Sequence, residues 1–179
     1  MLHTIVSYIR MMLPIIYLVL AWRFGDWKNW KKYYPTILFI LSVDFFISNL
    51  LKDYPLWTFH GSLLIPNHTI ADFMIAFTCF SPMVLIYLSR YPYRKEWYRQ
   101  FVYILLWFIL YNIVEAIFFF AHLITYHHGW NFWWSSIVWV FMFIGLRLHH
   151  TKPLLAWLLC FACTVFLIIY FQIPIYKSR

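Results

Sequence analysis

The chain has 179 residues, of which 64% are hydrophobic and 25% aromatic but only 11% charged, and its formal net charge is +8. A soluble domain averages about a quarter charged residues, and a core of this size cannot hide so much aromatic surface. An ordinary water-soluble domain is therefore excluded. The expectation is an all-α, polytopic membrane protein: a compact bundle of about six transmembrane helices in one integral membrane domain, 1–179.

The first span is predicted over Thr4–Phe24. Arg10 lies inside it and "LVLAWRFG" lacks a small-x-small cleavage pattern, so it reads as a retained helix rather than a leader. The break "DWKNWKKYYP" leads to a second span over Thr36–Lys52. A third, Ile70–Ser89, is entered through Pro66, Asn67 and His68. At its start, Thr69 and Asp72 have the spacing of a capping box, which places the Asp72 acid first at a helix start. Spans four to six are predicted over Phe101–Tyr126, Phe132–Leu148 and Leu154–Phe171. These runs are continuous rather than alternating, which excludes barrel strands.

Lys and Arg in the breaks set the expected orientation. Arg23, Lys28, Lys31, Lys32, Arg90, Arg94, Lys95, Arg99, Arg147 and Lys152 fall on one side, against Lys52, Lys177 and Arg179 on the other. The basic breaks are expected inside and both termini outside. Trp22, Trp27 and Trp30 fit an inner aromatic belt, and Trp57, Trp130, Trp133 and Trp134 an outer one. The positive charge points to membrane lipids as partners. No nucleic-acid-reading module accompanies it, so no nucleic-acid partner is expected. Nothing in the pattern sets an oligomeric state.

Cys160 and Cys163 form a C-x-x-C inside "LLCFACTVF", with no activating cation beside them, and read as small packing residues. His60, His68, His122, His127 and His128 gather on the outer side without a spacing that enforces convergence. No metal site and no cofactor is expected.

Ionisable residues inside the spans carry the functional reading, because an acid at mid-bilayer costs about 2.5–3.5 kcal/mol on insertion scales. Asp44 lies eight residues from each end of its span, about 12 Å of helix rise, with Ser48 one turn on. Glu115 is expected on one helical stripe with Asn112, Phe119 and His122. Arg10 and Asp72 enter from the same side at comparable depth and can pair, while Asn67 and His68 would sit at the mouth of a polar pocket.

Taken together, "DWKNWKKYYPTILFILSVDFF", "YPLWTFH", "LLIPNHTIADFMIAF", "LSRYP", "HGWNFWWS" and "LRLHHTKPLLAWLL" resemble a family of small multi-helical membrane proteins from spore-forming Firmicutes. The resemblance implies a bacterial cytoplasmic membrane and no particular activity.

Three functions remain open. The leading one is binding or transport of a small ligand or protons at Asp44, Asn112, Glu115, His122, Asp72 and Arg10. The first alternative is a structural or accessory membrane protein whose buried polar groups specify packing. The second is an intramembrane enzyme on a lipid-like substrate, with Glu115 or Asp44 as acid/base. Motifs for phosphate binding, metalloprotease or nucleophile-elbow chemistry are absent from the sequence.

Overall fold

Basic and aromatic clusters, rather than glycines, punctuate the helices in the computed structural model, which describes residues 2–60, 74 and 76–175 (2–11 for the backbone alone). The helices are α1 (Leu2–Phe24), α2 (Trp30–Leu50), α3 (Ser81–Arg90), α4 (Trp97–Phe120), α5 (Phe132–Thr151) and α6 (Pro153–Tyr170). Two short strands, β1 (Trp57–Phe59) and β2 (Ile124–Tyr126), pair antiparallel with Thr58 opposite Thr125. Among the described residues the result is an all-α, six-helix compact bundle with a small strand pair at one end.

Several boundaries differ from the sequence expectation. The second helix begins at Trp30 rather than Thr36, so Pro35 lies within it. Pro35 is the sixth residue of the helix, past the first turn, so the helix forgoes the bond that an N–H there would make to the Lys31 carbonyl. The third helix has its regular part at Ser81–Arg90, preceded by a π-turn at Ala76–Phe80. Pro82 explains the widened turn, because its ring clashes with the carbonyl four residues back. Helix α4 stops at Phe120, not Tyr126. Leu123 N–H donates to the Phe118 carbonyl at 2.8 Å and His122 N–H to that of Phe119 at 3.0 Å. These two bonds close the helix around His122, whose φ is +56°.

The segments Trp27–Leu50, Trp97–Phe120, Phe132–Thr151 and Pro153–Tyr170 are long and apolar enough to cross a membrane, and Met12–Phe24 and Ala76–Arg90 are shorter apolar helices. Their outer faces are unlike a water-facing surface. Ile113 and Ile117 on α4 are each 52% exposed, and Phe161 and Ile169 on α6 about 70%. Contiguous apolar surface on this scale belongs against lipid. The chain has multi-pass membrane architecture.

Helix α3 forms the centre. Met83, Val84, Tyr87 and Leu88 are fully buried, packed with Tyr111 of α4 and Phe143 of α5. Tyrosine hydroxyls tie the helices there: Tyr103 donates to the Tyr87 carbonyl and Tyr87 to the Phe143 carbonyl, each at 2.9 Å. A second core at the strand end joins Leu51, Leu56, Trp130 and Phe171. Trp130, 5% exposed, is thus a core residue and not part of an interfacial belt.

The three basic breaks converge at the other end of the bundle. Arg90 Nε donates to the Phe24 carbonyl at 3.1 Å, linking the first and second breaks. Arg147, from the third, lies over the Tyr93 ring of the second at 4.7 Å.

Candidate functional site at the seam of α4 and α5

Asn112 and Glu115 are three residues apart on α4 and face Ser136 and Trp139, three apart on α5. The two pairs meet across the seam between the helices. Ser136 Oγ donates to Asn112 Oδ1, and the Asn112 amide donates to the Phe108 carbonyl at 2.8 Å. Trp139 Nε1 donates to Glu115 Oε2, while Tyr126 from β2 donates its hydroxyl to Oε1 at 2.7 Å. Glu115 is 7% exposed. Its two oxygens are therefore held by the protein's own donors, and no cation of the described residues lies within ion-pair distance of it.

Local sequence explains how these partners arrive. Asn131 caps α5, accepting from the Trp133 and Trp134 N–H groups at 3.0 and 3.3 Å, which sets the phase that carries Ser136 and Trp139 inward. Tyr126 is delivered by the strand pair, and Trp130 follows a tight turn in which His128 and Gly129 both have positive φ. Trp130 Nε1 donates to Ser135 Oγ at 2.9 Å, one residue before Ser136. Burial first, and then the bond to Glu115, push the Tyr126 phenol above its ordinary value. It stays a protonated donor at neutral pH.

The expected stripe is only partly realised. Asn112 and Glu115 do share the seam. His122 does not join them, because the chain has left the helix before it; its side chain is exposed and lines an open groove of about 360 Å³ with Phe119, Phe120, Ile124, Thr125 and Tyr126. Asp44 is half-buried on α2 and is engaged in an interaction of its own. Neither Asp44 nor Glu115 lines that groove. Asn67, His68 and Asp72 lie outside the described residues, as does the side chain of Arg10, and with them the expected pairing of Arg10 and Asp72.

Sequence reasoning missed Tyr126, Ser136 and Trp139. The signal for the latter two was present: a polar residue and a Trp at i and i+3 on the helix following the Asn112/Glu115 pair. A second buried polar contact also went unread. Thr36 Oγ1 and His149 Nδ1 share a hydrogen bond of 3.0 Å between α2 and α5, with His149 stacked on Phe39.

The chain matches no protein-family model, no curated protein and no solved structure.

Proposed function

We propose that the chain is a structural or accessory integral membrane protein whose intramembrane polar residues fix helix packing. One observation carries this reading: both oxygens of the buried Glu115 are occupied by Tyr126 and Trp139. A carboxylate that receives a ligand keeps an acceptor turned toward a cavity, whereas this one closes a seam between α4, α5 and β2. Interhelical polar bonds are an established means of specifying packing where lipid supplies no hydrophobic drive. The bacterial membrane follows from the family resemblance, and the inward placing of the basic end from its Lys/Arg excess.

A second reading, binding of a small ligand or protons, is favoured by one feature. Tyr126 both donates to Glu115 and forms part of the groove wall, so one side chain links the acid to the groove.

Glu115→Gln in proteoliposomes distinguishes the two. The packing reading expects the variant to melt close to the parent and proton flux to be the same in both. A pH-gradient-driven flux in the parent that disappears in Glu115→Gln establishes the second reading instead.

A further inference from the structure

At the basic end, side chains from three breaks form one cluster. The Arg147 guanidinium lies 4.9 and 4.7 Å from the ring centroids of Tyr91 and Tyr93. Lys32 Nζ is 5.7 Å from the Tyr93 ring and 5.6 Å from that of Tyr33. The His150 imidazole stacks on Tyr33 at 5.6 Å and tilts against Tyr93 at 5.5 Å. Two cations, an imidazole and several phenols thus surround one spot.

Asp26 borders the cluster through Tyr33 and feels the charge of Lys32, but no carboxylate of the described residues makes an ion pair within it. Among the described residues, neither Arg147 nor Lys32 has a carboxylate within 4.0 Å; the ion pair found at this end is Arg99 with Glu96, at 3.5 Å. Asp26 is turned to the amide of Asn29, at 2.9 Å, and to the hydroxyl of Tyr33. Arg147 uses one terminal nitrogen on Thr151 Oγ1, at 2.9 Å. Two polar atoms are left over in the interior of the cluster: Arg147 Nε and Tyr93 Oη are both buried without a hydrogen-bond partner. Buried donors are normally satisfied, and leaving two together is costly unless something else completes them.

We propose that Arg147, Lys32, Tyr93 and His150 form a binding site for a phosphate group at the basic face of the membrane. A phosphate oxygen accepts from a guanidinium edge and a phenol together, and Lys32 adds point charge. The tyrosine rings hold both cations in place before the anion arrives. Anionic phospholipid headgroups and free phosphate share this chemistry, and depth near a helix end suits either.

The test uses the full chain in nanodiscs, with lipid retention read by native mass spectrometry. Phosphatidylglycerol discs are compared with phosphatidylcholine discs, and inorganic phosphate is added as a competitor. Retained phosphatidylglycerol should fall about tenfold in Arg147→Gln and in Lys32→Gln, as loss of one charge-assisted contact implies. Arg94→Gln, an exposed charge on the same face, should leave it unchanged. Arg147→Lys keeps the charge but loses the fork; it should bind less than the parent and more than Arg147→Gln, and it serves should the glutamine variant not fold. Displacement by inorganic phosphate assigns the site to free phosphate, and retention despite it assigns the site to the headgroup. Equal losses in Arg94→Gln and Arg147→Gln would mean a diffuse basic surface and overturn the proposal, as would equal retention of the two lipids together with no binding of phosphate.

Discussion

Trp139 of α5 donates its indole N–H to Glu115 of α4, joining positions 24 residues apart beside the Ser136–Asn112 bond of the same seam. Indole nitrogen is a donor only, so the partner must keep an acceptor there. Glutamine can do so: its oxygen takes the Trp139 bond and its amide donates to Tyr126, whose hydroxyl can turn to accept. Glu115→Gln is therefore expected to melt close to the parent. Tyr126→Phe and Trp139→Phe each orphan one oxygen and should cost about 1 kcal/mol. That is the middle of the range for interhelical bonds in membranes and the low end for a buried unsatisfied group. Denaturation of the purified protein in mixed micelles measures all three. A Glu115→Gln variant less stable than Tyr126→Phe would refute the seam as described.

Two helix ends use side chains where glycine fits better. His122 has φ +56° and Gln172 φ +52°, and in each case the next residue's N–H reaches back to a carbonyl of the last turn. The left-handed conformation costs an L-residue roughly 1 kcal/mol, and glycine avoids it. His122→Gly and Gln172→Gly are expected to stabilise the protein by about 0.5–1 kcal/mol each. Alanine is the control, since it keeps the Cβ. If His122→Ala stabilises as much as His122→Gly, the gain comes from losing the imidazole and not from the backbone.

The membrane class was legible because lipid imposes a long apolar run on a span; of the six helices expected to cross, four described segments are long and apolar enough to do so. Boundaries were not legible. Pro35 looks like a helix stop in one dimension, yet it is the sixth residue of α2, and Pro82, inside the expected third span, is preceded by a π-turn. Glu115 was found because an acid in an apolar run has a cost that must be met. Its partners escaped notice because Trp and Tyr serve equally as lipid-facing, interfacial or donor residues, and only the packing of α4 on α5 decides among these. His122 was misassigned for a related reason: a helical stripe presumes the helix continues, and the turn at Phe120 depends on backbone bonds that composition does not encode.

Acid stability should report on the turn between α1 and α2. Asp26 accepts from the Asn29 side chain at 2.9 Å, and this bond above all, helped by Tyr33 and by the charge of Lys32, lowers its pKa below the usual 3.8. A depressed folded-state value means the stabilisation is fully present above the unfolded pKa. It is lost as pH falls through the folded one. Asn29→Ala should therefore reduce the melting temperature at neutral pH slightly, and the difference from the parent should shrink as pH falls through the lowered folded-state pKa of Asp26. Melting curves at about pH 7 and about pH 2.5 provide the comparison. A difference between parent and variant that persists undiminished in acid would show that Asn29 acts through helix geometry rather than through Asp26.

Among the described glycines, Gly25 has the closest neighbours. A Cβ built there would stand 2.5 Å from the Ala21 carbonyl oxygen and 2.9 Å from Leu85 Cδ2. Leucine at the far end of its side chain can move, but the carbonyl belongs to the last turn of α1 and also accepts from Gly25 N–H and from Trp27 Nε1, at 2.8 and 2.7 Å. Gly25→Ala must open that turn, and overpacking of this kind costs about 1–3 kcal/mol. The strain should be local to the contact of α1 with α3, where Leu85 is 2% exposed. Combining Gly25→Ala with Leu85→Ala tests this. Clearing the leucine leaves the carbonyl clash in place, so the double variant should recover little of the loss and add the cost of a cavity. Recovery to the stability of Leu85→Ala alone would place the whole conflict in the side chain and show that the Ala21 carbonyl yields freely.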